Sequence, residues 1–315
     1  ALFMVGLALR LWGIGLQPAD SQELTYLLQV VFPREAINDP WLGAVMTLLA
    51  PHMVSPHPPL YRLILMAVLG DAQDLSWLRL PAALAGAATV PVVYLLGTRL
   101  FGRRVGLLAG VALAIAPFHI YFSQTITPYS LLGLWVASAY YLHNRALEPG
   151  GPWGRYVTVL GLGFVTHFSA PALFAPLALD ALWRIARSGG DEEERARWWR
   201  FVAAGAVALI PFVVGSAGLF FYGDMIPHIF PVIHAMALFP PVESLGDALS
   251  AFFVGAGGFF WHGLMSTFAV PEHILMGVLG CVLSLWGAKS AGSSRREGGH
   301  LLPMGVALFA LFFVA

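Results

Sequence analysis

The chain has 315 residues, of which 58% are hydrophobic and only 11% are charged. A soluble domain carries about 25% charged residues because its surface must stay hydrated, so this composition excludes a large soluble domain. The formal net charge is zero and the sequence pI is about 7.4, which gives no electrostatic basis for a nucleic-acid partner. The single cysteine, Cys281, excludes an internal disulfide.

Long apolar runs predict helices that cross a membrane, since a spanning helix needs about 20 mostly apolar residues. The clearest runs lie at 79–98, 105–122, 129–147, 201–222 and 272–288, and 1–16 and 301–315 are shorter candidates. The run 156–186 is too long for one span and is interrupted near His167, Ser169 and Pro171, so we predict two short helices there. The sequence therefore predicts an all-α polytopic transmembrane helix bundle of about eight to nine spans.

Basic residues orient this bundle, because Lys and Arg concentrate in cytoplasmic loops. They cluster at 99–104, 145–155, 184–200 and 289–296, which leaves 17–78, 123–128 and 223–271 on the outer face. Leu60–Leu69 is too short to span and is expected to form, with a helix over 21–32, the amphipathic helices of the first outer loop. We expect a multi-pass integral protein of a bacterial-type inner (plasma) membrane. It would have a catalytic module at 1–222, and 223–315 would hold an outer loop, a re-entrant segment and further helices.

The first outer loop brings carboxylates to the membrane surface. Asp20 follows the first apolar run directly, and Glu23 comes three residues later. Either Asp20 or Ser21 could cap the helix over 21–32, and Glu23 could complete a capping box with it. The alternative is catalysis, with Asp20 and Glu23 as the candidate catalytic residues.

A second outer segment suits a lipid phosphate. Pro58 and Pro59 stiffen the chain beside His57, Tyr61 and Arg62, and Arg binds phosphate in a bidentate manner. Tyr61 and Arg62 could instead be interface anchors at headgroup level. Arg10, near the outer end of the first run, could assist the phosphate or extend towards the interface.

Histidines fall at several predicted outer helix ends and raise the question of a metal. Imidazole is a common ligand of divalent ions, and the weak metal candidates are His52, His57 and His167. No pair has the close spacing of a strong metal motif, and a lone histidine at a helix end is more often structural. A divalent cation is therefore the one cofactor that the sequence admits.

Several short motifs in order resemble the GT-C superfamily of glycosyltransferases. Residues 79–130 contain RLPAAL, LGTRLFGRR and APFHIYFSQ, and they follow HPPLY and an acidic first loop. The likeness is closest to the protein O-mannosyltransferase and aminoarabinose-transferase branch, which uses polyprenyl-phosphate sugars. In this resemblance Asp20 matches a leading catalytic aspartate. Ser21, Thr125 and Thr127 stand where the family often has Glu, Glu and Arg.

The resemblance implies transfer of a sugar from a polyprenyl-phosphate donor to an acceptor on the extracytoplasmic face. Asp20 would be the general base, with Glu23 the nearest replacement for the second acidic residue. The expected partners are membrane lipids, the donor and an unidentified acceptor. An alternative is a non-catalytic GT-C-derived subunit of a larger membrane complex, which the uncharged residues Thr125 and Thr127 favour. A transporter is a further alternative, although no inverted repeat is visible in the sequence.

Overall fold

A computed structural model describes residues 1–20, 23–24, 26–27, 58–69, 74–146, 148, 150–167, 169–188 and 191–221. Every regular element in these ranges is a helix, which confirms the predicted all-α class there. The helices are α1 (Leu2–Leu11), α2 (Leu60–Leu69), α3 (Leu75–Phe101), α4 (Arg103–Ile115), α5 (Pro117–Ser123), α6 (Tyr129–Ala146), α7 (Trp153–Phe164), α8 (Ala170–Arg187) and α9 (Glu192–Phe221). The predictions that concern Ser21, His52, His57 and 223–315 lie outside the described residues.

The helix α3 is long and apolar enough to cross a membrane, with 27 residues and a mean hydropathy of 1.7. The helices α4 and α5 could form a second span together, although they meet at a bend of 58°. Pro117 causes this break in the predicted span 105–122, because proline cannot donate the helical hydrogen bond and clashes with the preceding turn. By length and composition, the described residues therefore give one or two spans, fewer than the eight to nine predicted.

Two other boundaries follow from local sequence signals. The predicted break within 156–186 is confirmed, since α7 ends at Phe164 and α8 begins at Ala170 with a proline in its first turn. The helix predicted at 201–222 begins earlier, at Glu192. Asp191 accepts a hydrogen bond from the Glu194 N–H at 3.0 Å, and acidic residues favour the start of a helix.

The helix α3 forms the centre of the described bundle and packs against α1, α2, α4, α5 and α6. Glycine permits a close contact between α3 and α4, because a Cβ on Gly97 would lie 2.9 Å from the Cα of Gly106. Small residues let membrane helices approach in this way. An apolar cluster packs α6, α8 and α9 together and includes Tyr140, Phe174 and Phe201.

The two ends of the bundle differ in chemistry. At one end the start of α2 meets the α7–α8 connection, where the Leu60 N–H donates to the Val165 carbonyl at 3.0 Å. Loop 124–128 and the segment around Asp20 lie at this same end, which we call the loop end. At the other end Arg99 pairs with Glu148 at 2.8 Å, and we call this the basic end. The described parts of the predicted outer stretches 17–78 and 123–128 thus converge at one end of the bundle.

Candidate functional site

The loop end contains a capping box formed by Asp20 and Glu23, which is one of the two alternatives that the sequence left open for these residues. The Glu23 N–H donates to Asp20 Oδ1 at 2.8 Å, and the Asp20 N–H donates to Glu23 Oε2 at 3.1 Å. These reciprocal bonds satisfy two N–H groups at the start of a helix. The described residues of that helix, 23–24 and 26–27, are helical. The cap therefore fixes the position of both carboxylates.

Glu23 also forms a buried ion pair with Arg79, a residue to which the sequence analysis gave no role. The Arg79 guanidinium donates from Nε to Oε1 and from Nη2 to Oε2, both at 2.8 Å. Each side chain is 1% exposed. Arg79 also donates to the carbonyls of Ile14 and Gln17 at 2.7 and 2.9 Å. An arginine just inside an apolar helix is a functional signal, and this signal could have identified Arg79.

The Glu23–Arg79 pair lies against the second outer loop, which has no charged residue of its own. The Ile126 N–H donates to Glu23 Oε1 at 2.7 Å. The neighbouring residues Thr125 and Thr127 are buried, and their hydroxyls lie 3.0 Å apart. This loop lacks the Glu and Arg that the resemblance suggested, but Glu23 and Arg79 bring a carboxylate and a guanidinium to the same place from other segments.

Asp20 is the more accessible of the two candidate carboxylates. It is half-buried, whereas Glu23 is buried. Asp20 Oδ2 accepts a hydrogen bond from the Tyr121 hydroxyl at 3.1 Å, and Tyr121 itself is exposed. Because Glu23 already accepts from Arg79, Ile126 and Asp20, Asp20 has the better geometry to accept a proton from another molecule.

The predicted phosphate ligands Tyr61 and Arg62 lie in the first turn of α2 and are 1% exposed each. The Tyr61 ring packs edge-on against Tyr26 with their centroids 5.9 Å apart, which connects α2 to the helix that begins after Asp20. Burial lowers the pKa of the Arg62 guanidinium to about 10, so this group stays cationic at neutral pH. A phosphate could contact Arg62 only by replacing the groups that cover it.

Arg10 is fully buried and does not extend to an interface. Its guanidinium donates to the carbonyls of Leu113 and Ala114 at 3.3 and 3.4 Å and to Ser123 Oγ at 3.2 Å. The Leu113 carbonyl also accepts from the Ala116 N–H at 3.4 Å, and Pro117, one turn farther along, has no N–H to donate to it. The geometry favours a structural role, in which Arg10 stabilises the bend between α4 and α5. A contact between Arg10 and a lipid phosphate stays a prediction.

The described histidines form no metal site. No group of three or more His, Cys, Asp or Glu side chains in the described ranges could hold an ion. His167 Nδ1 lies 2.8 Å from Ser169 Oγ and accepts from the Ser169 N–H at 3.1 Å, as a structural histidine does. His119 Nδ1 lies 2.7 Å from Arg10 Nη2, and a cation there disfavours a metal. A divalent ion stays a prediction, because the candidates His52 and His57 lie outside the described residues, and we derive no step through one.

Comparison with known proteins identifies the family. A family model described as dolichyl-phosphate-mannose-protein mannosyltransferase matches residues 55–217, which is more than half of the 315 residues. The matched range includes Arg62, Arg79 and loop 124–127, whereas Asp20 and Glu23 precede it. No curated protein matches the chain significantly. The match supports a membrane glycosyltransferase of the GT-C type with a polyprenyl-phosphate-linked sugar donor. The chain belongs to the dolichyl-phosphate-mannose-protein mannosyltransferase family.

Proposed function

We propose that the chain transfers a sugar from a polyprenyl-phosphate donor to an acceptor hydroxyl at the loop end of the bundle, on the extracytoplasmic face. The bond from the anomeric carbon to the phosphate oxygen breaks, and a bond to the acceptor oxygen forms with inversion. The acceptor proton passes to Asp20, and the polyprenyl phosphate leaves with the electron pair. The observation that carries this proposal is the half-buried Asp20 carboxylate beside a satisfied ion pair.

Asp20 is the general base in this proposal. Its Oδ1 is held by the capping bond, and its Oδ2 accepts from the exposed Tyr121 hydroxyl. An acceptor hydroxyl can therefore approach Oδ2 from the side of Tyr121. Glu23 and Arg79 position this carboxylate instead of reacting, because Glu23 is buried and already accepts from Arg79 and Ile126. Fixing the base in this way reduces the reorganisation that the reaction needs.

The departing phosphate needs a cation to stabilise its charge. We assign this role to Arg62, with Tyr61 beside it. Arg62 keeps its charge at neutral pH, and its aromatic neighbours Tyr26 and Tyr61 connect it to the helix that Asp20 caps. The phosphate is already a competent leaving group, so no general acid is required. The enzyme has only to stabilise the developing charge. In this proposal His57 is a further hydrogen-bond donor to the departing phosphate.

Asp20→Asn tests the function directly. General-base catalysis contributes about 10²–10⁴-fold, so we expect transfer from a polyprenyl-phosphate sugar to fall by that factor. Asparagine caps a helix as well as aspartate does, and folding should therefore persist. The assay follows release of polyprenyl phosphate by the purified chain in detergent.

Asp74→Asn is the matched control, because Asp74 caps α3 by accepting from the Ser76 N–H at 2.9 Å and is exposed. This variant should keep wild-type transfer. Wild-type transfer by Asp20→Asn would exclude Asp20 as the base. Equal losses of transfer activity in Asp20→Asn and Asp74→Asn would show that Asp20 acts only as a helix cap.

A second candidate function is a non-catalytic subunit of a membrane complex. The buried, uncharged pair Thr125 and Thr127 favours it, and so do apolar side chains such as Trp12 and Leu16, which are more than four-fifths exposed. A panel of polyprenyl-phosphate sugars separates the two candidates. Absence of transfer by the folded native chain across that panel would favour the subunit.

A further inference from the structure

An open apolar groove of about 480 Å³ lies between α3, α6 and α7. Val92 and Leu95 of α3 form one wall, Tyr141 and Leu142 of α6 form a second, and Val159 contributes from α7. These residues precede Arg99 and Arg145 on α3 and α6 by about one turn, so the groove lies in the half of the bundle nearer the basic end. It is far in the fold from Asp20 and from the proposed reaction.

The groove ends at a positive charge. Arg155 lines it and is exposed, and it forms no ion pair with any residue in the described part of the chain. Arg99 and Arg145 stand at the same end, and both pair with Glu148, at 2.8 and 3.7 Å. Two of these arginines thus share one carboxylate, and Arg155 is the cation available to a ligand.

The backbone adds to this charge. The helix α7 begins beside Arg155, has no acidic residue in its first turn and receives no side-chain hydrogen bond from its cap residue Pro152. The first N–H groups of a helix carry a partial positive charge and bind anions. An anion at this place would therefore meet both the Arg155 guanidinium and the start of α7.

The size of the groove indicates what fits its apolar part. At roughly 30 Å³ per water-sized group, 480 Å³ holds a chain of about 16 methylene groups. The Thr158 hydroxyl donates to the Gly154 carbonyl within α7 at 2.9 Å and needs no polar partner in the groove.

We propose that this groove binds one acyl chain of an anionic phospholipid, with the lipid phosphate on Arg155. The lipid belongs to the leaflet that the basic end faces. This site is separate from the sugar-transfer site at the loop end, and its test does not depend on transfer activity. The apolar walls supply affinity for any phospholipid, and Arg155 supplies the preference for an anionic one.

Lipid binding to the purified full chain in detergent tests this proposal. Native mass spectrometry would measure binding of phosphatidylglycerol and of phosphatidylcholine with the same acyl chains. We expect phosphatidylglycerol to bind more tightly. Arg155→Ala should weaken phosphatidylglycerol binding about tenfold, because a charge-assisted contact is lost, and should remove the preference over phosphatidylcholine. Arg104→Ala is the control, since Arg104 is exposed beyond the end of α3 and does not line the groove.

A second variant fills the groove without touching its charge. A Cβ on Gly154 would meet open space, and the same is true of Gly161, two turns farther along α7 and outside the groove. Gly154→Leu should therefore weaken binding of both lipids, whereas Gly161→Leu should not. Three results would overturn the proposal: equal binding of the two lipids by the native chain, equal losses in Arg155→Ala and Arg104→Ala, or unchanged binding by Gly154→Leu. Displacement of phosphatidylglycerol by a trace of polyprenyl phosphate would show that the occupant is wrong.

Discussion

Each end of the bundle buries an ionic network, and the two networks differ in how completely their groups are satisfied. At the loop end both Glu23 oxygens accept from Arg79, and they also receive the N–H groups of Ile126 and Asp20. Nearer the basic end Asp180 Oδ2 lies 3.0 Å from His143 Nε2 and accepts from Arg184 Nε at 2.9 Å. Asp180 Oδ1 is buried and has no hydrogen-bond partner in the described part of the chain.

This difference indicates different roles. A fully satisfied buried pair fixes one geometry, whereas a buried oxygen without a partner lowers stability. The Glu23–Arg79 pair holds together two segments that are 56 residues apart in sequence, and the first of them carries Asp20. The Asp180 network joins α8 to α6 and α9 through His143 and through Arg184, whose guanidinium lies 4.8 Å from the Trp198 ring. We infer that the loop-end network positions a site and that the other network mainly packs helices.

Arg79→Met should have the largest effect and tests the loop-end half of this comparison. Methionine keeps the length of the side chain but leaves the Glu23 carboxylate buried without its partner. Breaking a buried pair in this way costs about 3–5 kcal/mol. The measurement is the free energy of unfolding in detergent.

Two further variants make this result specific. The double variant Glu23→Gln with Arg79→Met should recover part of the loss, because no unpaired charge remains. Arg99→Ala breaks an exposed pair instead and should shift the unfolding midpoint by less than about 2 °C. An equally small effect of Arg79→Met would contradict the positioning role of the pair.

Asp180→Asn should have an intermediate effect. The asparagine keeps the shape of the side chain but loses the charged hydrogen bonds to His143 and Arg184, which costs about 1–3 kcal/mol. Thermal unfolding measures this loss, and Asp191→Asn, at the exposed cap of α9, should leave it unchanged. If Asp180→Asn destabilised the chain more than Arg79→Met does, the contrast between the two networks would fail.

Gly86→Ala should have an effect no larger than that of Asp180→Asn, and it tests how tightly the helices pack around the bend between α4 and α5. A Cβ on Gly86 would run into Ser123 Oγ and would lie 2.9 Å from Arg10 Nε, so the bend between α4 and α5 must shift. Overpacking of this kind costs about 1–3 kcal/mol.

Gly161→Ala is the matched control for Gly86→Ala. It places the same methyl group in open space and should be neutral or stabilising by up to about 1 kcal/mol, because alanine favours a helix. Unfolding in detergent measures both variants. Equal stability of the two would show that Gly86 is not a close-packing position.

Local signals in the sequence determined much of this protein. Its apolar composition predicted a helical membrane protein, and the polar interruption near His167 predicted the break between α7 and α8. The three-residue spacing of Asp20 and Glu23 indicated that they could form a capping box. The motifs between 79 and 130 predicted the family. Each of these signals acts over a few residues or through a short contiguous pattern, so no tertiary contact is needed to interpret it.

Tertiary structure alone decided which distant groups meet. Glu23 has 17 basic residues in the chain as candidate partners, and only packing selects Arg79. Packing also brings Arg10 within hydrogen-bond distance of the carbonyls of Leu113 and Ala114, which are 103 and 104 residues away in sequence. The groove beside Arg155 is likewise a property of three helices together. The physical reason is that a buried charge takes the partner that the fold brings within hydrogen-bond distance, and a groove forms where helices pack side by side; sequence separation carries no information about either.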